Sequence, residues 1–146
     1  MIETSLPAAL PECLASRTGY LLARAARQLS ERMEDALEPL GLRSRHYSVL
    51  AVLASLGPLS QHRLVGILHI DRTTMVGVVD ELESMGYVER RRDPTDRRAY
   101  QIHLTPNGHG AEARLREVVD ATQASFFSPL SSQERSDLQH ILRQFF

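Results

Sequence analysis

Between residues 90 and 98 the chain packs five arginines, Arg90, Arg91, Arg92, Arg97 and Arg98, around Asp93-Pro94-Thr95-Asp96. Against the two aspartates this leaves a net charge of +3 over nine residues. Guanidinium groups are planar, permanently charged donors, suited to phosphate oxygens and to the negative potential of a narrow minor groove. Asp93-Pro94 favours a turn, so the cluster reads as the tip of a hairpin. A charge run by itself is usually a solvated surface loop, and the neighbouring segments must decide between the two.

The segment just before it is of the right kind. Asp71 is a good N-cap, able to accept from the free N–H groups of a first helical turn. Met75, Val78, Val79 and Leu82 follow at the spacing of one buried helical stripe, and Gly86 sits where a helix needs a residue that tolerates positive φ. The other face holds Arg72, Thr73, Thr74, Val76, Gly77 and Asp80. Most of these are small, which lets a helix backbone sink into a major groove. Val76 is of a kind that meets a thymine methyl, and Arg72 or Thr73 can hydrogen-bond base edges. A mid-helix glycine costs about 1 kcal/mol relative to alanine, so Gly77 suggests a close approach by something outside, such as a phosphate. The plainer alternative is an ordinary surface face with a tolerated glycine.

No catalytic constellation is visible. His46, His62, His69, His103, His109 and His140 are scattered, with no H-E-x-x-H pattern, and the single Cys13 cannot form a paired zinc motif. Neither G-x-x-x-x-G-K-[ST] nor G-x-S-x-G occurs. An enzyme, a metal site and a cofactor are therefore not expected. One cysteine also excludes an internal disulfide framework. No segment is long and apolar enough to cross a membrane, and no basic-then-apolar leader is present, so a cytoplasmic protein is expected.

The 146 residues, 42% hydrophobic, suffice for one compact protomer. The net charge of −1 is unevenly spread: residues 43 to 105 carry nine arginines against seven acids, the remainder eight against eleven. Any affinity for nucleic acid would come from placed arginines rather than a global field, and would fall with salt.

The elements that must position these groups follow from periodicity and caps. Residues 1 to 11 read as an arm. A single long helix is expected from about Glu12 to Leu40, with Leu22, Leu29, Met33 and Leu37 at helical spacing and Gly41 ending it. Ser44 is expected to cap a second helix buried along Tyr47, Leu50, Ala51 and Ala54, stopped by Gly57-Pro58. Ser60 caps a short helix from Gln61 to Leu68, with Leu64, Ile67 and Leu68 inward. His69-Ile70 then turns tightly into the Asp71 helix. Two short helices so joined make a helix-turn-helix, whose first member crosses the backbone and places Gln61, His62 and Arg63 near phosphates. Strands are expected at Tyr87–Arg90 and Ala99–Leu104. Thr105-Pro106 starts a long helix reaching Phe127, with Ala111, Leu115, Val118, Val119 and Thr122 on one side. Ser131 and Glu134 form a capping box for a last helix holding Leu138, Ile141, Leu142, Phe145 and Phe146. The fold class is therefore mainly α with a small β-hairpin wing: a winged helix-turn-helix over 43–105, flanked by helices over 1–40 and 106–146.

Asp96-Arg97-Arg98-Ala99-Tyr100-Gln101-Ile102-His103-Leu104-Thr105 fits D-x-R-x-x-x-[IL]-x-L-T, and so resembles the wing signature of the MarR family of bacterial transcription regulators. Asp71-Arg72-Thr73-Thr74 and Leu82 to Arg90 resemble that family's recognition helix and its exit into the wing. The resemblance implies a DNA-binding regulator, usually a repressor, acting on double-stranded DNA. It implies that Arg98 reaches the minor groove and that Asp96 holds the wing tip in shape. The chain departs from the family pattern at Val76 and Gly77, where many relatives carry polar or basic residues, which implies more reliance on DNA shape. A winged helix that binds protein instead of DNA is the rival, but it has no reason to keep five wing arginines together.

A homodimer is expected on two grounds. A winged helix of roughly 60 residues closes its own core, so the apolar stripes of the terminal helices need a partner, at ~1.5–3 kcal/mol per buried large side chain. Two recognition helices about 34 Å apart would also read a pseudo-palindrome. The resemblance further implies a small phenolic or lipophilic effector where the dimer helices meet the DNA-binding lobe, with Arg17, Tyr20, Arg45, His46 and Tyr47 as lining candidates; the alternative is that the tyrosines are core aromatics. One branch of the family senses peroxides through a cysteine near the start of the first helix. Cys13, with Arg17 one helical turn on, is the candidate here, although the tyrosine that follows that cysteine by four residues is replaced by Arg17.

Overall fold

The computed structural model describes residues 9–146. The order of elements is α1 (Glu12–Ala15), α2 (Thr18–Leu37), a 3-10 turn (Glu38–Leu40), α3 (Ser44–Leu56), β1 (Leu59–Ser60), α4 (Gln61–Leu68), α5 (Arg72–Ser84), β2 (Val88–Arg92), β3 (Tyr100–Leu104), α6 (Pro106–Phe126), α7 (Ser132–Leu142) and a final 3-10 turn (Arg143–Phe145). Of the arm expected over residues 1 to 11, residues 1 to 8 lie outside the described residues.

The expected single helix from Glu12 to Leu40 is three pieces. Arg17 is extended (φ −103°, ψ 102°) and separates α1 from α2. Ser16 marks the break: its hydroxyl donates to the Glu12 carbonyl at 2.9 Å, competing with the helical ladder. At the other end Pro39 stops the α-helix, because it has no N–H and its ring clashes with the carbonyl four residues back. The chain tightens into a 3-10 turn that Gly41 closes at φ 68°.

One core unites the elements. Met33 and Leu37 of α2, Val49, Leu50 and Leu53 of α3, Leu64 of α4, the four-residue stripe of α5, Val88, Ile102, and Ala111, Leu115 and Val119 of α6 are all buried together. The buried side of α3 is not the expected one. His46, Val49, Leu50 and Leu53 point inward, Tyr47 and Ala51 are half-buried, and Ala54 is exposed. This helix is apolar on nearly every side, so spacing alone could not choose its face. Ile67 of α4 also stays exposed, leaving Leu64 as that helix's buried anchor.

The sheet has three antiparallel strands in the order β1-β3-β2. β1 was not expected: two residues after Gly57-Pro58 are too short for a pattern, and they become a strand by pairing Leu59 with Ile102 and Ser60 with Gln101. β2 begins at Val88 rather than Tyr87 and runs to Arg92, because the ladder continues through Arg90↔Ile102 and Arg92↔Tyr100. The base of the hairpin is locked to α6. Thr105 caps that helix by accepting from the Gly108 N–H at 3.0 Å and donates its hydroxyl to the Gly86 carbonyl at 2.6 Å. Gly108 is required there: a Cβ would lie 2.0 Å from the Tyr87 carbonyl oxygen.

Candidate nucleic-acid interface

α5 is built from its first residue. Asp71 accepts from the Thr74 N–H at 2.9 Å and from the Thr74 hydroxyl at 2.6 Å. Those two bonds, the hydroxyl's first, hold the Asp71 carboxyl below the usual aspartate range. Met75, Val78, Val79 and Leu82 are fully buried, as their spacing predicts, and Gly86 takes φ 75° after the helix. His69 makes the turn from α4 in the left-handed region (φ 51°), its N–H bonded to the Val65 carbonyl. Ser60 caps α4 by accepting from the Arg63 N–H. His62 and Arg63 are exposed on that first turn and Gln61 is half-buried.

The outer face of α5 is left to solvent. Arg72, Thr73, Val76 and Asp80 are exposed; Thr74 and Gly77 are half-buried. Thr74 turns its hydroxyl back to Asp71, so it caps the helix instead of facing outward.

The five arginines of the wing have different surroundings. Strand alternation sorts the first three. Arg90 lies on the same side as Val88 and turns onto α5: its Nη2 donates to Asp80 Oδ1 at 2.5 Å, its Nη1 to Glu83, and its own N–H to Glu83 Oε1 at 3.1 Å. Arg91, on the opposite side, pairs with Glu89 two residues away. Arg92 folds over the Tyr100 ring, 5.5 Å from its centroid, and donates to the Arg97 carbonyl at 2.8 Å. Only Arg97 and Arg98 have exposed guanidinium groups that bond to nothing among the described residues. Arg90 is thus a strut between wing and helix, a role that reading the run as a sum of charges could not reveal.

The tip is shaped by two aspartates. Asp96, the one singled out in the sequence, accepts from the Arg98 N–H at 3.0 Å. Asp93 does more: its Oδ1 accepts from the Thr95 N–H at 2.8 Å, the Thr95 hydroxyl at 2.7 Å and the Asp96 N–H at 3.3 Å, while Oδ2 takes the Gln101 amide at 3.1 Å. The Thr95 hydroxyl, then the Thr95 N–H, hold its carboxyl below the usual range. The available signal was Asp-Pro-Thr, an aspartate with a donor two residues on, which is an Asx-turn.

The candidates for an effector site do not converge within the protomer. Arg45 and His46 line a cleft of about 570 Å³ together with Glu34, Asp35, Glu38, Arg43 and Glu81. Tyr20 lies in a separate groove of about 340 Å³ with Arg24, Arg27 and Glu31. Tyr47 faces Glu112, Asp120 and Arg116; burial, then the two carboxylates, pushes its phenol up. Arg17 is exposed at the α1–α2 break. His46 itself is a buried structural group: its Nδ1 accepts from the Arg43 N–H at 2.9 Å, so the proton sits on Nε2, 2.5 Å from Glu81 Oε2 of α5. That bond, not the expected Ser44 side chain, completes the start of α3. Cys13 is exposed in α1. Arg17 is no longer on its helix, so the one-turn spacing that tied the two together is absent. Among the described residues no group of three or more His, Cys, Asp or Glu could hold a metal, and no helix is long and apolar enough to cross a membrane.

A short helix crossing onto a second helix whose small outer face lies beside an arginine-tipped hairpin defines a winged helix-turn-helix protein. The MarR family's sequence pattern matches residues 42–100, from just before α3 through the wing arginines to the start of β3. A structure from Rhodococcus sp. RHA1, described as a transcriptional regulator of the MarR family, is 29% identical and superposes with TM-score 0.84, covering 92% of this chain and 96% of that one. CouR from Rhodococcus jostii RHA1, solved with p-coumaroyl-CoA bound, is 30% identical with TM-score 0.81 over 92% of this chain and 95% of that one. A protein of Thauera aromatica, provisionally described as a transcriptional regulatory protein for the hcr operon, is 38% identical over 100 residues, 68% of this chain. The match spans 60% of that protein's length. The chain belongs to the MarR family, a family of transcriptional regulators and not of enzymes.

Proposed function

We propose that the chain is a transcriptional repressor that binds double-stranded operator DNA as a homodimer and is released by a small lipophilic or phenolic effector. The observation that carries the DNA reading is the wing tip. The guanidinium groups of Arg97 and Arg98 are exposed and bond to nothing among the described residues, beside a helix whose outer face is small and whose inner face is fully anchored. Two uncommitted guanidiniums on a rigid hairpin suit the minor groove; Arg72, Thr73, Val76 and Gly77 suit the adjoining major groove, and His62 and Arg63 the phosphates. Arg90, Arg91, Arg92 and Thr74 support these contacts from within the fold, with Asp96 and Asp93 setting the tip.

The homodimer is supported by what one protomer leaves uncovered. Tyr20, Leu21 and Leu22 of α2, and Ile141, Phe145 and Phe146 at the C-terminal end, are exposed although Met33 and Leu37 of α2 and Ala111, Leu115 and Val119 of α6 are already buried in the one core shared with the winged helix. A two-fold partner covering them would place two recognition helices on one pseudo-palindrome. The effector reading is supported by CouR's aromatic thioester ligand. The cleft beside Arg45 and His46 carries four carboxylates against two guanidiniums, so it does not suit an anion. A lipophilic molecule is better matched by the groove of about 520 Å³ where Leu29, Ala124, Phe127, Leu138 and Leu142 line one part and Asp120, Gln123, Arg135, Ser136 and Gln139 the rest.

The test is fluorescence anisotropy on a duplex from upstream of the protein's own gene and on a scrambled duplex, over a salt series. Tight, sequence-dependent, salt-sensitive binding by a species that sediments as a dimer is expected. Absence of binding to either duplex at low salt would favour a protein-binding winged helix.

A further inference from the structure

Val76 is the one large apolar residue of the α5 helix that folding does not use. It is 43% exposed, while Met75, Val78, Val79 and Leu82 are each 1% exposed or less. Beside it stands Gly77, where an added Cβ would meet nothing within 4 Å. Packing within the protomer therefore gives no reason for that glycine, although it weakens the helix by about 1 kcal/mol. Two of the polar groups on this face are engaged elsewhere, while Arg72 and Thr73 stay exposed toward its N-terminal end. Asp80, one turn beyond Val76, is held by Arg90, and the Thr74 hydroxyl is bonded to Asp71. An acceptor for a cytosine amino group is thus withdrawn, and an apolar knob next to a side-chain-free gap remains. Arg72, one turn before Val76, and the free Arg97 and Arg98 of the wing give the surroundings the positive charge that a duplex complements.

We propose that Val76 reads the C5-methyl group of thymine in the major groove, with Gly77 leaving room for the backbone to approach, so that the operator carries a thymine at the same place in each half-site. Resting on the DNA-binding reading above, this assigns base-specific contact to a face whose small, apolar residues were expected from the sequence to leave recognition to DNA shape. The methyl group is the only atom set that distinguishes thymine from uracil, so the contact can be removed without touching a hydrogen bond.

The experiment uses the full-length chain. Duplexes are selected from a random library, and the selected site is then made with deoxyuridine replacing thymine one position at a time. Burying one methyl is worth roughly a fourfold change in affinity, and about fifteenfold when both half-sites are changed. Wild-type protein should show that loss at one symmetric position, and Val76→Ala, checked for an unchanged melting temperature, should bind the two duplexes alike. Equal binding of both by the wild type, or a deoxyuridine penalty that persists in Val76→Ala, overturns the inference while leaving a DNA-binding protein. Selection of no duplex at all overturns the DNA-binding reading, and this inference with it.

Discussion

The two ends of the wing are made of the same residue and behave differently. At the stem, Arg90 is clamped between Asp80 and Glu83 with its side chain 25% exposed, Arg91 is paired with Glu89, and Arg92 lies over Tyr100. At the tip, the guanidinium groups of Arg97 and Arg98 reach solvent with no partner among the described residues. The stem arginines satisfy carboxylates and carbonyls of their own chain; the tip arginines keep their donors for something else. Net charge over a segment therefore overstates what it offers a polyanion, and a guanidinium's neighbours decide its use.

The largest effect should come from the tip. Arg98→Ala is expected to weaken operator binding roughly ten- to hundredfold, and to reduce the salt slope, with no change in melting temperature. A melting shift as large as the binding loss would make Arg98 a structural residue and erase the contrast. The next effect should come from the stem and run through the fold. Arg90→Ala removes a two-carboxylate clamp, expected to cost about 1 kcal/mol after allowance for solvent. Faster amide exchange along β2 should accompany it, and Arg90→Lys should rescue it poorly, because an ammonium cannot span both acids. Asp93→Ala should leave the melting temperature unchanged and lower operator affinity severalfold by freeing the tip, with Asp93→Asn intermediate. Arg91→Ala should be nearly silent, within about 0.5 kcal/mol in stability; a large binding loss there would show that the Glu89 pair opens on DNA.

The smallest effect is a pH dependence. Asp93 is held below the ordinary aspartate value of 3.8, so its contribution to tip order is complete above that value. It is lost as the pH falls through the lower folded value, which is the sign for a depressed carboxyl. The Thr95 amide resonance should therefore titrate with a midpoint under 3.8; a midpoint above it would mean the Asx-turn is not formed in solution.

Much of this site was legible in the sequence because local rules govern it. Asp71 as cap, the α5 stripe and Thr105-Pro106 all depend on residues within two turns of each other, and each stands where its spacing predicted. The misreadings share the opposite property. The face of α3 depended on which neighbours α2, α5 and α6 supplied, and His46 became a strut because Glu81 arrives from 35 residues away. β1 exists only through β3.

The α5 helix with its buried and open faces, the two helices joined by the tight turn at His69, and the arginine-rich hairpin were set by the sequence alone, because caps, turns and hydrophobic periods act over a few residues. That Arg90 is spent on Asp80 and Glu83, withdrawing Asp80 from the outer face of α5, and that Arg92 is spent on Tyr100 were decided only by tertiary structure. Those outcomes depend on side chains distant in sequence meeting at contact range. Such meetings follow from strand register and helix packing, and no local pattern encodes them.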